Sequence, residues 1–449
     1  MSGPNTTGST AGHPHRPRRP AAAMAGLVAA MSAITAMPGM AADLVVSAQD
    51  GLQAVIEAAS PGDRLQLAAG TYPGNIVIDK PLTLSGPEDR SAIVQGDGTG
   101  RSIWVKAAGV TIERLTVQGS GMSLFAMDAA IFLDRNADHA QIRDNDILGN
   151  LIGVYVWGPA DVRVAGNRVV GDTRLRRAER GNGIQLWNTP GTEVVGNDIR
   201  AGRDGIFVNA SRRNSFRDNR FTDVRFGVHY MYTEDSEVTG NTVDGADAGY
   251  ALMFSNRLRV VDNTATNSRD HGLLLNAVNQ SEIIGNRIEG GEKCVFIYAA
   301  NINLFRDNLF EGCRIGVHYT AGSERNRISR NAFIANQTQV RYVGTRELEW
   351  SDEGRGNYWS DNTAFDLDGD GIADTAYRPN NILDEVLWRA PMARLLLNSP
   401  ATQVIKWAQA QFPAIHPGGV IDSAPLMSPP AFAQPAAAGH PTGATGGHP

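Results

Sequence analysis

His229, Met231 and Met253 are the side chains of this chain whose types and spacing best suit metal chemistry. In "GVHYMYT", residues 227 to 233, an extended backbone sends Val228 and Tyr230 to one side and His229 and Met231 to the other. An imidazole and a thioether side by side are the soft or borderline ligands that Cu(I) prefers. Met253 follows Met231 by 22 residues, which is also the repeat length of the chain, so the two thioethers fall in one column. Only six of the 11 methionines lie after residue 42, and two of them share this column. The competing account is that both merely pad an apolar surface.

A second set is harder in character. Asp366, Asp368, Asp370, Gly371 and Asp374 follow D-x-D-x-D-G-x-x-D, the first nine positions of a calcium-binding loop. Position twelve is Tyr377 rather than a bidentate Glu, so the loop is incomplete, and a plain Asp/Gly turn competes with calcium.

The elements that must carry these residues follow from a repeat. Asn recurs at 145, 167, 197, 219, 241, 263, 286, 308 and 331, in steps of 22 or 23 with one step of 30. The long step is one repeat plus an eight-residue insertion around "GDTRLRRAERGNG". Some eight residues after each Asn comes a second beat, such as "GVYV", "GIFV", "GVHY" or "GLLL". Short alternating segments separated by Gly, Asn and Asp suit one coil of a right-handed single-stranded parallel β-helix; no helical period is present. The Asn column is expected to occupy left-handed turns and to stack its amides. About a dozen coils between residues 62 and 345 would give a rod of roughly 55 Å, within a β-helix domain spanning 43–345. Residues 50–60 read as an amphipathic helix capping the open end.

Counting from each Gly beat, positions +1 and +3 face the core. Position +2 faces out and reads Trp104, Phe132, Tyr155, Gln185, Phe207, His229, Ala251, Leu274, Phe296, His318 down the stack. Position +4 includes Trp157, Trp187, Met231 and Met253. Tyr155, Trp157, Trp187, Phe207 and Phe296 are therefore expected to form an aromatic docking surface. The loops 119–129 and 171–182 enter the same side and would cover part of it. His318 is four coils from His229, near 20 Å, too far to share its ion.

The remaining segments set the context. The first 42 residues lack Asp and Glu, carry Arg16, Arg18 and Arg19, and continue into an Ala-rich apolar run ending in small residues, which reads as an export signal cleaved near Asp43. The whole chain has 41 basic and 47 acidic residues, a balance that argues against nucleic-acid binding. Cys294 and Cys313 are offset by three positions on neighbouring coils, so buried free thiols are expected rather than a disulfide. Residues 346–382 hold the Asp-rich loop. Residues 383–412 read as two helical stretches broken at Pro400, with Trp388 and Trp407 as partner-binding residues. From Ser428 the chain becomes a Pro/Ala/Gly/His tail, where His440 and His448 are at most an adventitious metal site.

With "GVHYMYT", "GNYWSD", "FDLDGDGIADTAYRPNN" and the segment through "DSAPLM" in view, the chain resembles the NosD family of periplasmic maturation proteins. That resemblance implies a pectin-lyase-like β-helix that is not an enzyme. It implies work with the ATPase and membrane subunits of an ABC transporter, a copper chaperone and nitrous oxide reductase, to build the reductase's copper–sulfur centre. The same fold also carries uronan lyases, epimerases and hydrolases, as well as inert adhesins. Against an enzyme, the repeated Asp144, Asp218, Asp262 and Asp307 read as turn residues and no D-P-H motif occurs.

Overall fold

A computed structural model describes residues 41–380, 390–396, 399–411 and 418–432. Each coil contributes three short strands, for example Ser215–Arg217, Arg220–Thr222 and Phe226–Met231. Coils stack entirely by parallel pairing into a right-handed solenoid of about 14 turns. One face is a 13-stranded sheet from Asp43–Val46 to Arg327–Ser329. The other two faces join in a 23-stranded sheet.

Coils bend at corners held in the left-handed conformation, and the sequence supplies those corners with Gly, Asp and small residues. At the Asn corner the left-handed residue is the one before the Asn: Asp218 (φ 56°), Gly240 (66°), Asp262 (53°) and Gly285 (67°). The Asn itself turns inward, which corrects the expectation that it occupies the turn. Asn219 donates from Nδ2 to Val194 O and Asn241 Oδ1, and its own Oδ1 accepts the Asn197 backbone N–H at 3.0 Å. The corner places a short amide where it satisfies backbone groups that the bend strips of ladder partners. The repeated acids beside it are turn residues, as their φ values require.

Gly at the second beat is needed for space. A Cβ on Gly227 would lie 2.4 Å from Val243 Cγ2 and 2.7 Å from the Gly249 carbonyl oxygen. Positions +1 and +3 fill the interior, with Val228, Tyr230, Tyr250, Leu252, Leu273 and Leu275 fully buried.

At the N-terminal end the helix Leu52–Ala58 buries Leu52 and Ile56 against the first coils. A strand, Asp43–Val46, precedes it and pairs with Arg64–Leu67. The C-terminal end is closed by Trp350, Trp359 and Phe333, the last two stacked at 4.3 Å. Asp422 locks this end, accepting from Asn357 N–H at 2.7 Å and Trp359 Nε1–H at 2.8 Å. Burial pushes its carboxyl up to about 6 despite those donors. Beyond the rod, Pro391–Leu396 is a 3₁₀ helix and Pro400–Gln411 is α-helical, the two helical stretches meeting at Pro400. The segment expected to be an export signal, up to residue 40, together with Trp388, the side chain of Trp407, His440 and His448, lies outside the described residues. No helix among the described residues is long and apolar enough to cross a membrane.

The cysteines form a disulfide, with Cα atoms 5.7 Å apart, contrary to the free thiols expected. Counting positions along a straight strand misplaces them. Cys313 lies on a corner, so both Cys313 and Cys294 turn into the interior across the bend, where each is buried.

Candidate functional site

The outward columns occur in the expected register. Phe207 pairs with His229, His229 with Ala251, Ala251 with Leu274, Leu274 with Phe296 and Phe296 with His318. Trp157 pairs with Trp187, and Met231 with Met253. The two thioethers thus stand one rung apart, about 4.8 Å along the stack, and both are half-buried.

His229 stands on this outward side but is only 7% exposed. Phe207 from the preceding coil lies 5.0 Å from its ring, and Phe226 from its own strand meets it edge-on at 5.1 Å. Its Nδ1 lies 2.9 Å from Asp204 Oδ2. Burial alone would raise the Asp204 pKa, but hydrogen bonds from His229 and a bidentate pair with Arg225, at 2.8 and 2.7 Å, hold it below the ordinary value. An ionised carboxylate only accepts, so Nδ1 carries the proton. That leaves Nε2 as the ring nitrogen that can offer a lone pair, and it is buried with no hydrogen-bond partner among the described residues. A carboxylate behind a histidine, with the other nitrogen open, is the support that metal-binding imidazoles use.

Asp204, Arg225 and Phe226 were not singled out from the sequence. Asp204 and Phe226 stand at position −1, the first residues of the strands that carry the Gly beat, and Arg225 at −2 just before one; simple alternation counts −1 with the inward positions +1 and +3 and so does not flag them. A signal existed: Asp204, Phe226 and Ala248 recur at 22-residue steps, and His271 follows at 23.

The N-terminal part of the same side is not a free surface. Phe132 is 1% and Tyr155 4% exposed, packed with Ala129, Leu151 and Ile152 beneath Met127 of the 119–129 loop. Tyr155 is therefore no docking residue: the loop that might have covered the face does cover it here. Burial raises its hydroxyl pKa, and a hydrogen bond to Gln185 offsets this in part. Trp157 and Trp187 stack at 5.7 Å on the edge of the cluster and stay half-exposed, as do Phe207 and Phe296.

Further along, His271 and His318 flank Phe296, with ring centroids at 5.4 and 5.0 Å from it. Burial, then the cations Lys293 for His271 and Arg341 and Lys293 for His318, push both imidazoles down to about 4. In the C-terminal loop Asp366, Asp368 and Asp374 bring carboxylate oxygens within 4.8 Å of one another, whereas Asp370 stands outside this group. Asp370 instead accepts the Ile372 backbone N–H at 2.8 Å.

Residues 165–364, which contain His229, Met231, Met253 and Asp204, match a family model described as NosD, periplasmic copper-binding protein. The chain is 42% identical over 383 residues to a probable ABC transporter binding protein NosD of Stutzerimonas stutzeri, covering 82% of this chain and 87% of that one. It is 40% identical over 382 residues to the protein of the same description from Pseudomonas aeruginosa, covering 82% and 89%. Among solved structures, an exopolygalacturonase from Thermotoga maritima superposes with a TM-score of 0.51 at 11% identity, over 67% of this chain and 92% of that one, a likeness of fold only. With identity of this level over most of both sequences, the chain belongs to the NosD family.

Proposed function

We propose that this chain is a periplasmic, non-enzymatic accessory protein of an ABC transporter, and that it handles Cu(I) as cargo at His229, Met231 and Met253 during assembly of the copper–sulfur centre of nitrous oxide reductase. The observation that carries the reading is the His229 ring: Asp204 fixes its proton on Nδ1, and its buried Nε2 has no protein partner among the described residues. Two thioethers on adjacent rungs of the same face complete a donor set whose softness suits Cu(I). Met brings three rotatable bonds, so each sulfur can swing toward an ion held at Nε2. The family model's description as periplasmic and copper-binding agrees with this.

Against a carbohydrate enzyme, the acid nearest the site, Asp204, is already engaged by Arg225 and His229. The copper reading is tested by competition against a chromogenic Cu(I) chelator under reducing conditions. Met231→Leu and Met253→Leu keep volume while removing sulfur, and each is expected to weaken Cu(I) binding at least about tenfold with little change in stability. Equal affinity in all three proteins would sink the assignment.

For the transporter, support comes from the C-terminal segment. Met392, Leu395, Leu396, Val404 and Ile405 are all exposed, a density of apolar surface that marks contact regions. The curated relatives' description as transporter binding proteins points the same way. A chain carrying Leu395→Asp and Val404→Asp is expected to fold and bind copper but to lose co-purification with the transporter's membrane subunits. Wild-type recovery of those subunits would refute this contact.

A further inference from the structure

The eight-residue insertion leaves the rod after Gly171 and forms a strap whose short turn, Arg177–Glu179, leans along the stack. Arg177 reaches Asp223 at 3.0 Å and Asp247 at 3.1 Å, two successive coils, and Arg180 reaches Asp223 at 2.8 Å. Three ion pairs to successive coils thus pin the strap beside the column of Asp204 and Phe226.

Between strap and coils lies a pocket lined by five guanidinium groups, from Arg177, Arg180, Arg203, Arg225 and Arg269. Three carboxylates answer them: Asp223, Asp247 and, behind Arg225, Asp204. Two positive charges are left uncompensated in one place, on a chain whose formal net charge is −6. Three of the groups are partly withdrawn from water, the side chain of Arg180 being 11% exposed, that of Arg225 28% and that of Arg177 29%, whereas Arg269 at the rim is 63% exposed. Like charges gathered in a partly desolvated pocket oppose folding unless an anion joins them. Arg203 makes no side-chain hydrogen bond or ion pair among the described residues, so its whole planar fork is available.

We propose that this pocket binds a tetrahedral oxyanion of the phosphate or sulfate class. The donors approach from several sides: Arg177 and Arg180 from the strap, and Arg203, Arg225 and Arg269 from three different coils. A carboxylate presents two oxygens in one plane, whereas a tetrahedral oxyanion presents oxygens out of plane to donors on opposite walls. The site requires no metal, and it adjoins the imidazole through one link. Arg225 donates to the same Asp204 oxygen that accepts from His229, at 2.7 Å.

Calorimetric titration and melting curves of the mature chain test this, with sodium phosphate, sulfate, acetate and chloride at matched ionic strength. Phosphate or sulfate is expected to bind saturably and raise Tm, while acetate and chloride do not. Arg203→Gln leaves every ion pair of the strap intact and is expected to weaken binding at least tenfold. Arg269→Gln, from another coil, is expected to do the same, and Arg355→Gln at the far end is expected to change nothing. Phosphate and sulfate acting no more strongly than chloride would overturn the proposal, as would unchanged binding in both pocket variants. Acetate binding as well as phosphate would show a carboxylate site instead. Because no arm involves copper, failure here leaves the copper reading untouched.

Discussion

One outward side of the rod carries two regions built from the same column and treated in opposite ways. At Trp104, Phe132 and Tyr155 the column is apolar, and the 119–129 loop closes over it to make a second small core. Two coils further on, from Phe207 to His318, the same side carries imidazoles, thioethers and half-exposed rings instead. An outward aromatic on a solenoid is therefore ambiguous until its cover is known. The same residue type supports folding under a loop and can meet a partner without one.

The largest effect expected from this contrast is Phe132→Ala. The buried Phe132 ring lies, by centroid, 5.2 Å from Tyr155, 6.1 Å from the half-exposed Trp157 and 3.7 Å from the Arg101 guanidinium. Its loss should lower the free energy of unfolding by about 4 kcal/mol. Cu(I) affinity of the folded fraction should stay at the wild-type value. A copper defect with little loss of stability in denaturant titrations would reverse the roles assigned to the two regions.

A smaller loss of stability, with the opposite functional outcome, is expected from Asp204→Asn. The amide keeps the shape but removes the charge that faces Arg225 and orders the His229 proton. Because Arg225 is partly solvated, the cost should be nearer about 2 kcal/mol than the larger loss of a fully buried pair. Copper affinity should fall roughly 10- to 100-fold, the usual consequence of removing a partner behind a metal-binding histidine. Retained affinity in the same chelator competition would detach Asp204 from the site.

Much of this was legible in the sequence, and the boundary is physical. Within strands, alternation and the 22-residue step place Phe207, His229 and Ala251 in one column and pair Met231 with Met253, because parallel stacking without slippage preserves register. Corners break that logic. The left-handed residue is Asp218 or Gly240 rather than the Asn beside it, and Cys313 meets Cys294 across a bend. Strand starts break it too: Asp204, the first residue of its strand, reaches His229 although alternation counts it inward. Contacts between distant segments are equally invisible to periodicity. Asp422 closing on Trp359 depends on a chain return of 63 residues, and Tyr155 is buried only because a separate loop lies over it. The repeat thus specifies faces, while corners and covers decide which faces remain available.

The smallest effect concerns acid, and it sharpens the contrast within the open region itself. His271 and His318 are held near 4, well below the 6.5 of a free imidazole, first by burial and then by the cations around them. For His318 those cations are Arg341, Lys293 and Arg314, with His271 alongside; for His271 Lys293 opposes protonation while Asp270 and Glu292 favour it. Between about pH 6.5 and 4 the unfolded chain binds protons that the folded chain refuses. Stability is therefore full above 6.5 and falls as the pH drops toward 4. Both rings are partly solvated, so the full shift overstates the effect, and roughly 1 kcal/mol per histidine is the expected scale. Asp422 works in the reverse sense. Its carboxyl is raised to about 6, so over pH 4 to 6 it favours folding more as the medium becomes acidic, which offsets part of the histidine slope. His318→Phe should remove one histidine's share without emptying the space beside Phe296. Melting temperature measured from pH 7.5 to 4.5 should then fall less steeply than in the wild type, while the values at pH 7.5 stay close. Parallel curves for the two proteins would mean that His318 is protonated as readily in the fold as outside it, and that this end of the column is as open to water as its exposed rings suggest.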